Sequence, residues 1–265
     1  MIRFISIIVL IISTTAVFSQ NEKKADEAFD NGKALLSGGG RDFKQAILFF
    51  SEAIKNNPKH QQAYTERARA FSEMGNFNLA VTDISKAISL DKKSPFLYGQ
   101  RGYFKSQLKN YQDAITDYNT ALRLDPKDAW IYSSRGLAYL TLKNYQQAFA
   151  DGEKAVKVDP NSSSAYNCRG MAYHYLKNNS KALVDLDKAI ELDPKVGAFY
   201  VNRASVYFYG LKKNTQAIDD LTKAIEIDPY DIRAYQLRGT ILQMIGKLDK
   251  AKEDSDKVKK LSPKK

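Results

Sequence analysis

Proline recurs along this chain at an interval that fixes the length of its structural unit. Consecutive prolines are spaced by 34 or 35 residues, at Pro126, Pro160, Pro194, Pro229 and Pro263. A period of this length is typical of repeat proteins, in which each unit is one small supersecondary element that stacks on the next. The chain is therefore expected to fold as an array of similar units.

Within each period, residues of similar size recur at fixed places. Tyrosine holds one place, at Tyr64, Tyr98, Tyr132, Tyr166, Tyr200 and Tyr235. Small residues hold two others, at Ala68, Gly102, Gly136, Gly170, Ala204 and Gly239, and at Ala80, Ala114, Ala148 and Ala182. Apolar residues at helical spacing fill two blocks per unit, separated by a short turn such as Lys143–Asn144. Because small residues let two helix axes approach to about 8 Å, each unit is predicted to be a helical hairpin.

This pattern resembles the tetratricopeptide repeat family over nearly the whole chain, from about Ala25 to Pro263. The resemblance implies an all-α fold, a right-handed superhelical solenoid of about seven antiparallel helix-turn-helix repeats. We place the repeats at residues 25–60, 61–94, 95–128, 129–162, 163–196, 197–231 and 232–265, after a short N-terminal segment at residues 20–24. Two departures from the period stand out. Gly38–Gly39–Gly40 is predicted to lengthen the first hairpin turn, and Gly210 adds one residue to the sixth repeat.

The helix ends carry recognisable signals. Ser94, Asp128, Ser162 and Asp231 stand where N-caps are needed before the first helices of their repeats. Aspartate precedes proline at the end of four second helices, and proline disfavours a helical conformation in the residue before it. These signals predict where the hairpins begin and end.

Arginine and aspartate also recur once per repeat. Arginine occurs at Arg67, Arg101, Arg135, Arg169, Arg203 and Arg238, and aspartate at Asp83, Asp117, Asp151, Asp185, Asp220 and Asp254. The first repeat lacks both. We hypothesise that each arginine forms a bidentate ion pair with the aspartate of its own hairpin. The alternative is that both side chains are solvated and share only the ancestry of the repeat.

The first nineteen residues predict export. Arg3 precedes an apolar run from Phe4 to Phe18, and the small Ser19 follows, as in a secretory signal peptide cleaved after Ser19. The run is shorter than the roughly 20 residues that cross a bilayer, so membrane attachment is expected only if the signal stays uncleaved. The protein is therefore expected in the periplasm or outside the cell.

Residues with catalytic or metal-binding chemistry are scarce. The only histidines are His60 and His174, which do not form a zinc motif, and Cys168 is the only cysteine and has no base partner near it in sequence. The carboxylates fall at repeat positions on helix surfaces rather than in a distinct pair. No enzyme activity, cofactor, metal or small-molecule substrate is predicted.

The resemblance also implies a binding surface, because the first helix of each hairpin lines the concave face in that family. Its inward places carry aromatic and apolar side chains here, at Phe96, Tyr103, Trp130, Leu137, Met171, His174, Tyr175, Phe208 and Tyr209. The clamp that some family members use for a terminal carboxylate is absent, since its places hold residues such as Thr65, Gly99 and Ser133. The structural alternative is that individual members of the set pack on the next hairpin.

Two functions follow. The first is a non-enzymatic scaffold or adaptor that binds a partner protein or peptide in its concave groove. The second is a binder of anionic lipid or cell-wall polymer, through the basic last repeat with Lys250, Lys252, Lys257, Lys259, Lys260, Lys264 and Lys265. Nucleic acid is not an expected partner of an exported protein.

Overall fold

In the computed structural model, residues 19–37 and 41–262 are described, and every regular element among them is helical. The helices are α1 (residues 19–34), α2 (Phe43–Asn56), α3 (Gln61–Glu73), α4 (Phe77–Leu90), α5 (Pro95–Gln107), α6 (Tyr111–Leu124), α7 (Ala129–Thr141), α8 (Tyr145–Val158), α9 (Ser163–Tyr175), α10 (Asn179–Leu192), α11 (Gly197–Ser205), a π-helix (Val206–Gly210), α12 (Asn214–Ile227), α13 (Ile232–Met244) and α14 (Leu248–Leu261). The prediction of an all-α repeat fold is confirmed. Residues 1–18 of the predicted signal peptide, the triple glycine and Pro263–Lys265 lie outside the described residues.

The chain divides into two compact units, one ending at Pro126 and one beginning at Lys127. In the first unit, α3 packs on α4 and α5 on α6, and α1 meets α2 through Phe29 and Phe50, whose ring centroids are 5.8 Å apart. In the second unit, the hairpins are α7–α8, α9–α10, α11–α12 with the π-helix, and α13–α14. Odd-numbered helices are called first helices below, and even-numbered helices second helices.

Three of the four predicted caps form side-chain hydrogen bonds at the helix starts. Asp128, Ser162 and Asp231 accept hydrogen bonds from backbone N–H groups two or three residues on, which satisfies donors that the helix leaves unpaired. Ser94 occupies the N-cap position of α5, but its side chain makes no capping hydrogen bond. Pro95 follows it in the first turn, where the missing N–H costs nothing.

Glycine and the small thiol of Cys168 allow close packing both within a hairpin and between neighbouring hairpins. A Cβ added to Gly102 would come within 2.7 Å of the Tyr118 ring, and one added to Gly136 would collide with the Cys168 sulfur. Burial raises the pKa of the Cys168 thiol, and the charge of Asp151 raises it further. Cys168 is therefore a protonated core side chain.

The arginine–aspartate hypothesis is confirmed in all six hairpins from α3–α4 onward. In each, the arginine Nε and one Nη donate to the two carboxylate oxygens of the aspartate on the second helix, at 2.6–2.9 Å. The aspartates are buried, and the arginine side chains are about four-fifths buried. This ladder of ion pairs fixes each first helix against its second helix.

The ladder also has contacts that the sequence pattern did not predict. Each ladder arginine lies over the ring of the repeat tyrosine three residues before it, with the guanidinium carbon 5.5–5.8 Å from the ring centroid. In several hairpins the remaining nitrogen reaches the second helix of the preceding hairpin. Arg67 donates to Ser51, Arg203 to Asp187 and Arg238 to Thr222. One guanidinium thus connects three helices.

The extra residue of the sixth repeat is absorbed by the π-helix at Val206–Gly210. In the α9–α10 turn, the N–H of Asn178 donates to the carbonyl of Tyr173, five residues back, whereas Lys213 reaches Tyr207, six residues back. Arg203 and Asp220 still pair, although 17 positions separate them instead of 16. The insertion therefore leaves the ladder intact and changes the end of the first helix together with the turn that follows it.

Among the described helices, none is both long enough and apolar enough to span a bilayer.

Candidate functional site

Exposed aromatic side chains concentrate on one class of helix. Among the described residues, six aromatic side chains are at least 38% exposed. Five of them lie on first helices or on the π-helix, namely Phe96, Tyr103, Trp130, Tyr175 and Tyr209, and the sixth, Tyr230, lies in a turn between repeats. The large apolar residues exposed on second helices are aliphatic, for example Leu79 and Val184. Aromatic rings provide large, rigid contact areas, so the first helices carry the surface best suited to recognition.

In the first unit this surface is formed on α5. Phe96 lies in the first turn of the helix and is 51% exposed. Tyr103, two turns further, packs edge-on against the buried ring of Phe104, with centroids 5.8 Å apart. Phe104 itself belongs to the core with Tyr64 and Leu97. The two predicted site residues of this unit are thus held by a rigid helix and partly open to solvent.

In the second unit, Trp130 and Leu137 lie on α7 and Tyr175 ends α9, and all three are about 40% exposed. Tyr145, at the start of α8, stacks on Tyr175 with nearly parallel rings 4.7 Å apart. Burial raises the pKa of Tyr175, and the neighbouring Tyr145 and Tyr209 hydroxyls raise it further. Tyr175 therefore stands at the centre of a small tyrosine cluster.

Three predicted site residues are buried instead of lying open to a partner. Met171 packs with Leu186 and Val206 in the core, and Phe208 packs in the core of the α11–α12 hairpin. His174 is also buried, although one edge lines a cleft. Phe208 lies within the π-helix, which changes the directions in which side chains point relative to a regular helix. That these three residues contact a partner stays a prediction.

A cleft of about 350 Å³ opens beside the π-helix. It is lined by His174, Tyr175, Lys177, Asn179, Ser205, Tyr209 and Gly210. The two tyrosine rings are partly exposed and supply apolar wall, while the remaining side chains supply hydrogen-bonding groups and one cation. Four of the seven lining residues have polar side chains, so the cleft is more polar than most ligand-binding clefts, and its volume is near the lower end of their range.

A hydrogen-bond chain shapes one wall of the cleft. The Asn179 amide nitrogen donates to the carbonyl of Gly210 at 3.2 Å, so its oxygen faces His174 Nδ1, 2.8 Å away. Since that oxygen can only accept, His174 carries its proton on Nδ1. A Cβ on Gly210 would lie 2.6 Å from the Asn179 amide. Glycine at the inserted position is therefore required for this contact.

Lysine occupies an unusual backbone position in the hairpin turns. Lys109, Lys143, Lys177 and Lys212 have φ between 60° and 67°, in the left-handed region that disfavours side chains other than glycine. Gly75 and Gly246 hold the equivalent place in α3–α4 and α13–α14. This feature and the Tyr145–Tyr175 stack were not predicted, although the repeated Leu-Lys-Asn turns gave a sequence signal for the first.

The basic last repeat is less uniformly cationic than its composition suggests. Lys259 pairs with Asp256 at 3.2 Å, and the Lys257 ammonium lies 6.0 Å from the centroid of the Tyr235 ring. Lys250, Lys252 and Lys260 are exposed on α14. Asp249, Glu253 and Asp256 share that helix, so positive and negative side chains alternate on it.

Within residues 19–37 and 41–262, no group of three or more histidine, cysteine, aspartate or glutamate side chains is placed to hold a metal ion. His60 caps α3 through Nδ1 and lies 3.4 Å from Asp26 through Nε2. Both histidines thus take part in structural hydrogen bonds.

Models of the tetratricopeptide repeat match residues 61–94, 131–162, 163–196, 198–231 and 221–253, and a TPR repeat model matches residues 106–143. A search of curated proteins gives no match. The chain is similar to the structure of a tetratricopeptide repeat protein from Parabacteroides merdae, with a TM-score of 0.77 and 23% identity over 92% of this chain and 95% of that one.

Two further structures share the fold. Pseudomonas aeruginosa pilF has a TM-score of 0.64 and 17% identity, over 83% of this chain and 99% of its own. YrrB, described as a TPR protein with an unusual peptide-binding site, has a TM-score of 0.50 and 23% identity, over 71% of this chain and 97% of its own. With the repeat models matching most of its length, this chain belongs to the tetratricopeptide repeat family.

Proposed function

We propose that the protein is a non-enzymatic scaffold that binds a partner protein or peptide on the exposed aromatic faces of its first helices. The observation that carries the proposal is the distribution of exposed rings, which are found on first helices while second helices expose aliphatic and charged residues. The ion-pair ladder fixes each first helix against its second helix, so the backbone that carries these rings is held in place before a partner arrives. The peptide-binding site named for YrrB supports this type of function for the fold.

The direct test is co-purification of partners from an envelope extract of the source organism. We expect the double substitution Trp130→Ala and Tyr175→Ala to abolish capture, because both rings are partly exposed and truncating an aromatic anchor typically costs about 2 kcal/mol or more. Helicity measured by circular dichroism should be unchanged. A matched control replaces Leu79 and Val184, exposed on second helices, by alanine. Capture that survives the first pair and fails with the second would contradict the proposal.

The same extract tests the competing polyanion function. Neutralising Lys250, Lys252 and Lys260 should leave capture intact if the aromatic faces bind the partner. Loss of binding with these three changes alone, together with steep weakening as salt rises, would favour the basic last repeat instead.

We further propose that the protein acts after export, in the periplasm or outside the cell, since Arg3 and the apolar run to Phe18 have the features of a cleaved signal. Mass spectrometry of the protein recovered from its source should give a chain that starts at Gln20. A cytoplasmic chain that retains Met1 would contradict export without affecting the binding proposal.

A further inference from the structure

The first helices from α5 onward lack acidic residues. Aspartate and glutamate are absent from Pro95–Gln107, Ala129–Thr141, Ser163–Tyr175, Gly197–Gly210 and Ile232–Met244. The acidic side chains of these repeats lie on the second helices and in the turns between repeats, as with Asp187, Glu191 and Asp228. In contrast, α3 carries Glu66 and Glu73. The charges are therefore sorted by helix in the later repeats.

The hairpin turns of the second unit also lack acidic residues, and they carry lysines. Residues 142–148, 176–182 and 211–217 contain Lys143, Lys177, Lys181, Lys212 and Lys213 and no acidic residue. Arg135, Arg169 and Arg203 of the adjoining helices are neutralised by the ladder aspartates. In these turns the exposed charge is therefore carried by lysine, and the positive field of the lysines attracts anionic groups.

Lys177 is held in the turn at a conformational cost. Its φ of 67° costs a non-glycine residue about 1–2 kcal/mol, and glycine stands at the same place in two other hairpins. Lys109, Lys143 and Lys212 adopt the same conformation, so what distinguishes Lys177 among the turn lysines is its position and not its strain. Lys177 lines the cleft beside the π-helix, next to the partly exposed rings of Tyr175 and Tyr209.

The cleft walls indicate the chemistry of the occupant. A small inorganic anion would use Lys177 alone and leave both tyrosine rings uncovered. A peptide segment with a carboxylate beside an aromatic or proline side chain would use all three groups, and its backbone would meet the Ser205 hydroxyl. A cleft of about 350 Å³ accommodates a short extended stretch rather than a folded surface.

We propose that the cleft formed by Tyr175, Lys177 and Tyr209 beside the π-helix binds an acidic, aromatic- or proline-containing peptide segment of the partner protein. The proposal rests on the peptide-binding function proposed above and specifies the site and the partner's charge. The π-helix is essential to it, because the inserted Gly210 forms one wall and the His174–Asn179–Gly210 chain fixes that wall in place.

The experiment uses short random peptides displayed on phage and selected on the immobilised full-length protein. We expect enrichment of acidic sequences that contain aromatic or proline residues. For a synthetic peptide from that pool, fluorescence anisotropy should show an affinity at least about tenfold lower for Lys177→Glu, because the substitution reverses the charge of the one lysine among the described residues that line the cleft. The matched control is Lys195→Glu, an exposed lysine in the turn between repeats, which should bind as the wild type does.

The outcomes separate the two proposals. Enrichment of neutral or basic peptides, or acidic peptides that bind Lys177→Glu and Lys195→Glu equally well, would overturn the acidic-peptide cleft and leave the scaffold function standing. Both proposals would be overturned if no peptide is enriched above a blank surface and the variant with Trp130→Ala and Tyr175→Ala still captures its partners.

Discussion

The interior of the hairpins and their turns differ in how strictly they repeat. Inside, six hairpins carry the same tyrosine, arginine and aspartate in the same bidentate geometry. At the turns, two hairpins have glycine, four have lysine in the left-handed conformation, and one of those four also has a π-helix. The uniform interior specifies the fold, while the varied turns and the neighbouring exposed rings are where one member of a repeat family can acquire its own partner.

The largest expected effect comes from breaking one pair of the uniform interior. Arg169→Met leaves the buried Asp185 carboxylate without its bidentate partner. The variant should lose about 2–4 kcal/mol of unfolding free energy, less than for a fully buried pair because Arg169 is one-fifth exposed. Urea denaturation followed by circular dichroism measures the loss.

The matched control removes both charges. Arg169→Met combined with Asp185→Leu should recover most of the stability, because no unpaired charge remains buried. If Arg169→Met alone is as stable as the wild type, the ladder pairs do not stabilise the fold and reflect only the shared ancestry of the repeats.

The second prediction concerns Gly136, which packs against Cys168. Gly136→Ala should destabilise the protein by about 1–3 kcal/mol, because its Cβ collides with the Cys168 sulfur. Adding Cys168→Ala should restore much of that loss by making room. If the double variant is no more stable than Gly136→Ala alone, the packing of Cys168 against Gly136 is not the cause. Both variants are compared by thermal unfolding.

The third prediction tests the π-helix. Gly210→Ala forces the Asn179 amide out of its position and should cost about 1–2 kcal/mol. Deleting Gly210 should instead give a regular repeat of the ordinary length, with near wild-type stability and a lost His174–Asn179–Gly210 chain. Unfolding free energies distinguish the two. A deletion more damaging than the substitution would mean that the insertion stabilises the fold and does more than shape the cleft.

The smallest effect has the opposite sign. Lys109→Gly, in the α5–α6 turn, should stabilise the protein by about 0.5–1 kcal/mol because glycine adopts the left-handed conformation without strain. Lys86→Gly, at an exposed position within α4, should destabilise it by about 1 kcal/mol. If both substitutions shift the urea midpoint equally, the left-handed conformation of the turn lysines does not cost the protein stability.

Periodic features of this chain could be predicted from sequence, and local departures could not. The hairpins, the N-caps at Asp128 and Ser162 and the ladder pairs recur, so each repeat confirms the interpretation of the others. The burial of Phe208 could not be foreseen, because the period shows one added residue without showing that a π-helix absorbs it. Likewise, the cleft depends on an asparagine and a glycine that are distant in sequence and meet only after folding.

The central claim is that partners bind the first helices. A photo-crosslinking amino acid placed at position 175 on α9, or at position 184 on α10, tests it directly, since both positions are exposed and they lie on the two helices of one hairpin. Illumination of living cells should give partner adducts from position 175 and few or none from position 184. Adducts that form mainly at position 184, or equally at both, would contradict the account.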